Sequence, residues 1–352
     1  MKEFFKFMFA SMLGFFLVCV ILFFLFFAFV AAVVSLSKPE EITLEDSSVL
    51  HMQLDYDISD RTSNDPFRFY MDYESFKIRP GLNDILKNLE KARNDDRIKG
   101  IYLDLTDVPS GMATVTEIRE ALETFKNSGK FVYAYGNIYT QKAYYLATVA
   151  DKIFLNPEGF VEFRGLRGET LFIKGLLEKL EIEPQIIRHG KYKSAVEPFI
   201  LEEMSEENKK QTRAFIGSMW NHAVEEISQF RYTDMAELNR IADALSTQNP
   251  NDAYALNMVD SLLYMDEFLS VLAGHLDVEH VQKKHLVPMV DYQHAEQKDG
   301  PKTRSRNKIA VVYASGDIVQ GEGTDEMIGS ERISRAIRNA RMDDDIKAVV
   351  LR

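Results

Sequence analysis

The sequence predicts an α/β layered fold in two tandem copies, preceded by one membrane-spanning helix. Three observations carry this reading. Helix-period apolar faces alternate with short apolar runs of strand character; a helix–turn–strand unit occurs twice; and the N-terminus holds a long charge-free apolar run.

That run extends from Met8 to Leu36 and is dense in Phe, Leu and Val. A hydrocarbon core of about 30 Å needs about 20 helical residues, so the run is long enough to span with tilt. Lys2, Lys6 and the amino terminus flank one side, while Glu40, Glu41, Glu45 and Asp46 dominate the other, with Lys38 the exception. The positive-inside rule then places residues 1–7 in the cytoplasm and the body outside it. A cleaved signal peptide has a shorter apolar core and a small-residue cleavage site. Val34-Ser35-Leu36-Ser37 is a poor site of that kind, and bulky Val18 before Cys19 argues against a lipoprotein. Residues 8–36 are therefore read as an uncleaved anchor.

The body starts near Glu41. Ser48 to Leu54 reads as a strand. Leu82, Ile85, Leu86 and Leu89 follow the i, i+3, i+4, i+7 spacing of an amphipathic helix. Ile98 to Leu105 is apolar enough to be a strand buried on both faces. The next helix carries Ile118, Leu122 and Phe125 and stops before Gly129. Phe131 to Tyr135 is a strand, Thr140 to Val149 helical, and Ile153 to Leu155 a short strand. Gln185-Ile186-Ile187 is also strand-like, and Ile173, Leu176, Leu177 and Leu180 mark one more helix face. The polar stretch 291–307, with Gly300-Pro301, reads as a linker between a first domain, 41–290, and a second that begins at 308.

The second domain begins as a copy of the first. Residues 91–104 read KARNDDRIKGIYLD and residues 339–352 read NARMDDDIKAVVLR, with seven of fourteen positions identical. The turn aspartates Asp95-Asp96 and Asp343-Asp344 match although no core pattern forces them to. Ile85, Leu89 and Ala92 of the preceding helix fall on Ile333, Ile337 and Ala340 at the same offset of 248. The expectation is a duplicated domain, 308–352, truncated ahead of its remaining elements.

Composition excludes some functions. The chain has 352 residues and a formal net charge of −12, which leaves no excess positive charge for a nucleic-acid partner. Cys19 is the single cysteine, so the body has no disulfide. The seven histidines form no H-E-x-x-H pair, and no phosphate-binding glycine loop is present.

The most specific motif is Gly190-Lys191-Tyr192-Lys193-Ser194-Ala195-Val196-Glu197-Pro198-Phe199. It resembles the lysine-bearing motif of signal peptide peptidase A, a family of membrane-anchored serine peptidases with a Ser/Lys dyad. Asn251 to Asp260 is similar to the motif that closes the family's first domain. The resemblance implies a Clp-protease/crotonase-like fold of repeated ββα units, in two domains in the long form. It implies Lys193 as general base, with the nucleophilic serine in the second domain, beyond Arg352. In the first domain Gln141 falls at the serine position, and an amide cannot attack a carbonyl as a serine oxygen does. Val108 to Met112 is the counterpart of the oxyanion turn and reads as an ordinary turn.

A lysine with the ordinary pKa of about 10.4 is protonated at neutral pH, so a lysine base needs burial without a carboxylate partner. Tyr192, Ala195, Val196 and Phe199 are expected to supply that enclosure. Ser194 is expected to orient the amine, and Glu197 to point away from it, toward backbone donors. Lys191 is the competing lysine, and His189 is read as structural. The resemblance further implies no metal or cofactor, signal peptides as substrates, a lipid-bound homo-oligomer (a tetramer) and a place in the inner membrane. By itself the chain, without the serine, is expected to be inactive. A non-catalytic assembly subunit of the same fold and a crotonase-like acyl-CoA enzyme are the alternatives.

Overall fold

The computed structural model describes residues 2–36, 44–62, 79–296, 305–324 and 327–352. It divides into two compact units, 1–43 and 44–352. The first is one helix, α1 (Lys2–Leu36). Thirty-five residues at 1.5 Å rise exceed the thickness of a hydrocarbon core. Its described side chains are almost all exposed. The flanking charges at Lys38, Glu40 and Glu41 lie outside the described residues, as does 297–304 of the expected linker.

The second unit opens with β1 (Ser48–Gln53), α2 (Leu82–Arg93), β2 (Ile98–Asp104), α3 (Met112–Lys126), β3 (Phe131–Tyr139), α4 (Gln141–Ala147) and β4 (Lys152–Val161). Then come α5 (Lys174–Lys179), α6 (Glu197–Ile200), α7 (Glu206–Arg231), α8 (Met235–Asp243), α9 (Pro250–Ala255), β5 (Ser261–Leu262), α10 (Met265–Leu276), β6 (Leu286–Pro288) and α11 (Met289–Tyr292). Six strands form one sheet in the order β5-β4-β3-β2-β1-β6, every pair parallel.

Parallel strands need cover on both faces, which is why the central residues of these runs are mostly apolar. Leu50, Met52, Ile101, Leu103, Val132 and Ala134 point into the larger core with α2, α3 and α4. Val49, Tyr102, Tyr133, Tyr135 and Phe154 point the other way, onto α10. There Phe268 sits 4.8 Å from the Tyr102 ring, 4.9 Å from Tyr135 and 5.3 Å from Phe154.

Strands β3 and β4 run past their predicted ends. Asn156-Pro157-Glu158-Gly159 reads as a turn, yet pairing resumes at Ile138↔Phe160 and Tyr139↔Val161 after a register shift. Gly159 permits this close approach, since a Cβ there would overlap the Asn137 carbonyl. Residues 185–187, expected as a strand, belong to no sheet; they pair with no neighbour, and Ile187 is fully exposed. The predicted face of Ile173, Leu176, Leu177 and Leu180 lies on α5, which buries no residue.

The closing motif holds the sheet edge. Asn249 and Asp252 form a reciprocal capping box at the start of α9. Ala253, Met258 and Val259 are buried. The Asp260 carboxylate accepts from the Ile153 N–H at 2.8 Å and from Arg231 Nη1 at 2.9 Å, tying β4 to the end of α7.

After residue 304 come β7 (Lys308–Val312), β8 (Asp317–Val319), β9 (Met327–Gly329), α12 (Ser330–Met342) and β10 (Ile346–Leu351). α12 and β10 occupy the repeat positions of α2 and β2, and β10 pairs parallel with β7 as β2 does with β1. The turn bonds repeat as well. Ile98 N–H donates to the Asp95 carbonyl and Ile346 N–H to that of Asp343, both at 3.0 Å. Lys99 and Lys347 donate to the carbonyls of Asp96 and Asp344 at 2.9 and 2.7 Å. Burial does not repeat: of α12 only Ala340 is buried, and Ile337 is 41% exposed.

One cation locks the helices of the larger core. Arg119 is 1% exposed. Its Nη1 donates to the Tyr145 carbonyl at 2.7 Å and to Thr148 Oγ1 at 2.9 Å, and its Nε and Nη2 reach Glu226. Arg119→Ala leaves these acceptors in a space closed to water and is expected to lower stability by about 3 kcal/mol. Urea unfolding would show a lower midpoint with an unchanged slope; an unshifted midpoint would contradict this role.

Candidate functional site

Between β4 and α7 the chain leaves the sheet as an arm. Over residues 164–207 the one buried residue is Glu197, a carboxylate with no exposure. Apolar side chains lie outside it: Leu171 is 81% exposed and Leu180 58%. Phe172, Ile173, Leu177 and Val196 are half-buried, and hydrogen bonds to Glu197 hold the far end of the segment.

The motif's local shape follows from its residues. Gly190, at φ +97, makes a turn open to few side-chain-bearing residues, and Lys193 N–H donates back to its carbonyl at 3.4 Å. Ser194–Val196 form one 3₁₀ turn, and Pro198 enters the first turn of α6, where its missing N–H costs nothing. The arm closes on itself through the Ile173 N–H and the Pro198 carbonyl, 2.8 Å apart.

The Glu197 carboxylate is bonded to side chains as well as to backbone. Ser205 Oγ donates to its Oε1 at 2.5 Å, Asn208 Nδ2 to Oε2 at 2.9 Å, and the Ser205 N–H to Oε2 at 3.2 Å. Arg188 Nη1 stands 4.0 Å from Oε1. Burial by itself pushes the Glu197 carboxyl up, but the donors from Ser205 and Asn208 and the charge of Arg188 outweigh it and hold the group below its ordinary range. Ser205 and Asn208 were not singled out in the sequence. Their signal is there, since Ser205 is the N-cap of α7 and accepts the Asn208 N–H at 3.2 Å.

Lys193 itself is exposed, and among the described residues its amine has no hydrogen bond or ion pair. No hydrogen bond joins Ser194 to it. The expected enclosure is not formed by the motif's own side chains: Tyr192 is 53% exposed, Phe199 41%, and Ala195 is exposed.

The first domain's counterparts of a nucleophile site are saturated. Gln141 is hydrogen-bonded to Arg164 and Gly165. Ser110 is 1% exposed; its Oγ accepts the Ile58 N–H at 2.8 Å and donates to the Tyr56 carbonyl at 3.3 Å. Lys142 Nζ donates to the Ser110 carbonyl at 2.8 Å, not to the hydroxyl, so these two are no dyad. Val108 to Met112 is an ordinary turn leading into α3. His51 and Asp104 pair at 3.0 Å on adjacent strands, His189 is exposed, and no metal-ligand cluster occurs among the described residues.

A parallel six-stranded sheet with helices on both faces, matched to this family, is the ClpP-like fold. Residues 124–279, which include Gln141, Lys193 and Glu197, match Peptidase family S49. The chain belongs to the signal peptide peptidase A family. It is 36% identical over 289 residues to "Protease 4" of Haemophilus influenzae, covering 76% of this chain and 45% of that protein. It is 34% identical over 280 residues to "Protease 4" of Salmonella typhi, covering 77% and 44%. With "Serine protease SPPA, chloroplastic" of Arabidopsis thaliana it shares 29% over 326 residues, 87% and 44%. The chain thus spans less than half the length of each of these relatives.

Because the Glu197 carboxyl is held below its ordinary range, its anchoring is fully present above the unfolded-state pKa of about 4.3 and is lost as pH falls below it. Hydrogen exchange over 198–205, corrected for intrinsic rate, should rise as pH drops through that window. In Glu197→Gln it should be raised already at pH 7 and respond little to acid. Equal protection of the two proteins at pH 7 would contradict the anchor.

Proposed function

We propose that this chain carries the base-bearing domain of a membrane-bound serine endopeptidase that degrades cleaved signal peptides through a Ser/Lys dyad. The observation that carries this reading is the arrangement of the Lys193 motif within the family match. Its carboxylate is consumed in anchoring the arm, and its amine is left free of any counter-charge among the described residues.

In this reading the second, duplicated domain supplies the nucleophilic serine and the oxyanion donors. Its packing over Tyr192 and Phe199, or that of a neighbouring copy, excludes water and leaves the Lys193 amine neutral. The amine takes the serine proton as the oxygen attacks the scissile carbonyl, and returns it to the leaving amine. Water then gives a proton to Lys193 as its oxygen attacks the acyl carbonyl, and the amine passes that proton to the departing serine oxygen, which restores both groups. Helix α1 anchors the body to the inner membrane, N-terminus inside, where its substrates are left. The scaffold reading is favoured by one observation: Lys193 is unenclosed in this chain.

Two measurements test the proposal in the full-length protein. Lys193→Ala is expected to slow cleavage of a detergent-solubilised signal peptide by at least about 100-fold, the lower end of general-base effects. Lys191→Ala should cleave near the wild-type rate; undiminished cleavage by Lys193→Ala would mean that Lys193 is not the base, and absence of cleavage by the unsubstituted full-length protein would leave the scaffold reading. Deleting residues 1–36 should move the protein from the membrane fraction to the soluble one, and retention in the membrane would refute the anchor.

A further inference from the structure

The first-domain counterpart of the nucleophile position is not vacant of function. Gln141 is the first residue of α4, and its side-chain amide pairs both polar groups of Gly165. Oε1 accepts the Gly165 N–H at 2.9 Å, and Nε2 donates to the Gly165 carbonyl at 3.0 Å. Oε1 also accepts the Arg164 N–H at 3.0 Å.

The backbone explains why an amide fits here. β3 and β4 pair through Tyr139↔Val161, and the Glu162 N–H still donates to the Tyr139 carbonyl at 2.8 Å. One residue later the β3 chain turns into α4, capped by Thr140. No strand remains to pair with residues 164 and 165. The Gln141 amide, which carries a donor and an acceptor like a peptide group, extends the ladder by one more step.

That step is where the arm departs. Gly165 has φ +84, a left-handed conformation that redirects the chain. Three residues on, Gly168 packs against α7 so closely that a Cβ would come within 2.7 Å of Ile216 Cδ1. The arm is thus fixed at its root by Gln141 and Gly168 and at its far end by Glu197. Lys193 lies between these fixed ends, on a stretch with no buried residue of its own.

We infer that Gln141 is a positioning residue for Lys193: its clamp on Arg164 and Gly165 sets the direction in which the arm leaves the sheet, and so where the amine sits. This rests on the peptidase reading above and adds to it a residue that no dyad requires. A residue at the old nucleophile position has become the fastening of the arm that carries the base.

The test uses Gln141→Ala in the full-length protein, with Lys193→Ala beside it. Amide exchange at residues 164–170 should rise, which reads the clamp without any activity. A misplaced base should lower kcat by about tenfold or more, with KM within about twofold. Water admitted to the amine should also shift the acid limb of the kcat/KM profile to higher pH, an effect that loss of stability alone does not produce. Gln141→Glu keeps both N–H acceptors and should recover part of the rate. Unchanged exchange, or normal kcat and pH profile beside an inactive Lys193→Ala, would overturn this inference alone. Full activity of Lys193→Ala would overturn the assignment of Lys193 as base, and this inference with it.

Discussion

The placement of Lys193 depends on one buried carboxylate. An arm of more than forty residues leaves the sheet with its apolar side chains outward, and Glu197 is all that it buries. An ionised group is an expensive thing to bury unless its lone pairs are met. Here Ser205 and Asn208 meet them, at the start of a long helix whose other end is fixed to the sheet through Arg231 and Asp260. The same bonds remove the one acidic group of the motif from the lysine's surroundings. The anchoring of the arm and the separation of Lys193 from the motif's carboxylate are two results of a single interaction.

The helix–turn–strand unit that occurs twice in the sequence shows what such a unit keeps when its surroundings change. α12 and β10 repeat the turn bonds of α2 and β2 atom for atom, because those bonds are local and need only the Asp-Asp turn and the lysine after it. Burial depends on neighbours and does not repeat. Gln141, Lys142 and Ser110 all bond to backbone groups and help to close the fold.

Much of this was legible in the residues. β1 to β4 announce themselves because both faces are covered, and α2 and α3 because one face is, whereas β5 and β6 are too short to show a pattern. That Glu197 should avoid the lysine follows only from the requirement that a lysine base have no carboxylate beside it, since opposite charges otherwise attract. Other features were hidden for physical reasons. β4 continues through an Asn-Pro-Glu-Gly segment that has every mark of a turn, and only the close approach at Gly159 lets it. Gln185-Ile186-Ile187 has strand composition but no strand to pair with, so it stays irregular. α7 went unassigned because its first half lies against the arm and its buried apolar residues, Ala223, Val224 and Ile227, come only in its second half. The clamp by Gln141 could not be read at all, since nothing local ties residue 141 to residue 165.

The central claim is that Lys193 activates a serine that belongs to another part of the assembled enzyme. The direct measurement is covalent labelling of the full-length protein with a serine-directed fluorophosphonate, located by mass spectrometry. The account predicts one labelled serine, neither Ser110 nor Ser194, and loss of that label in Lys193→Ala. Labelling of Ser110 or Ser194, or undiminished labelling without Lys193, would contradict it.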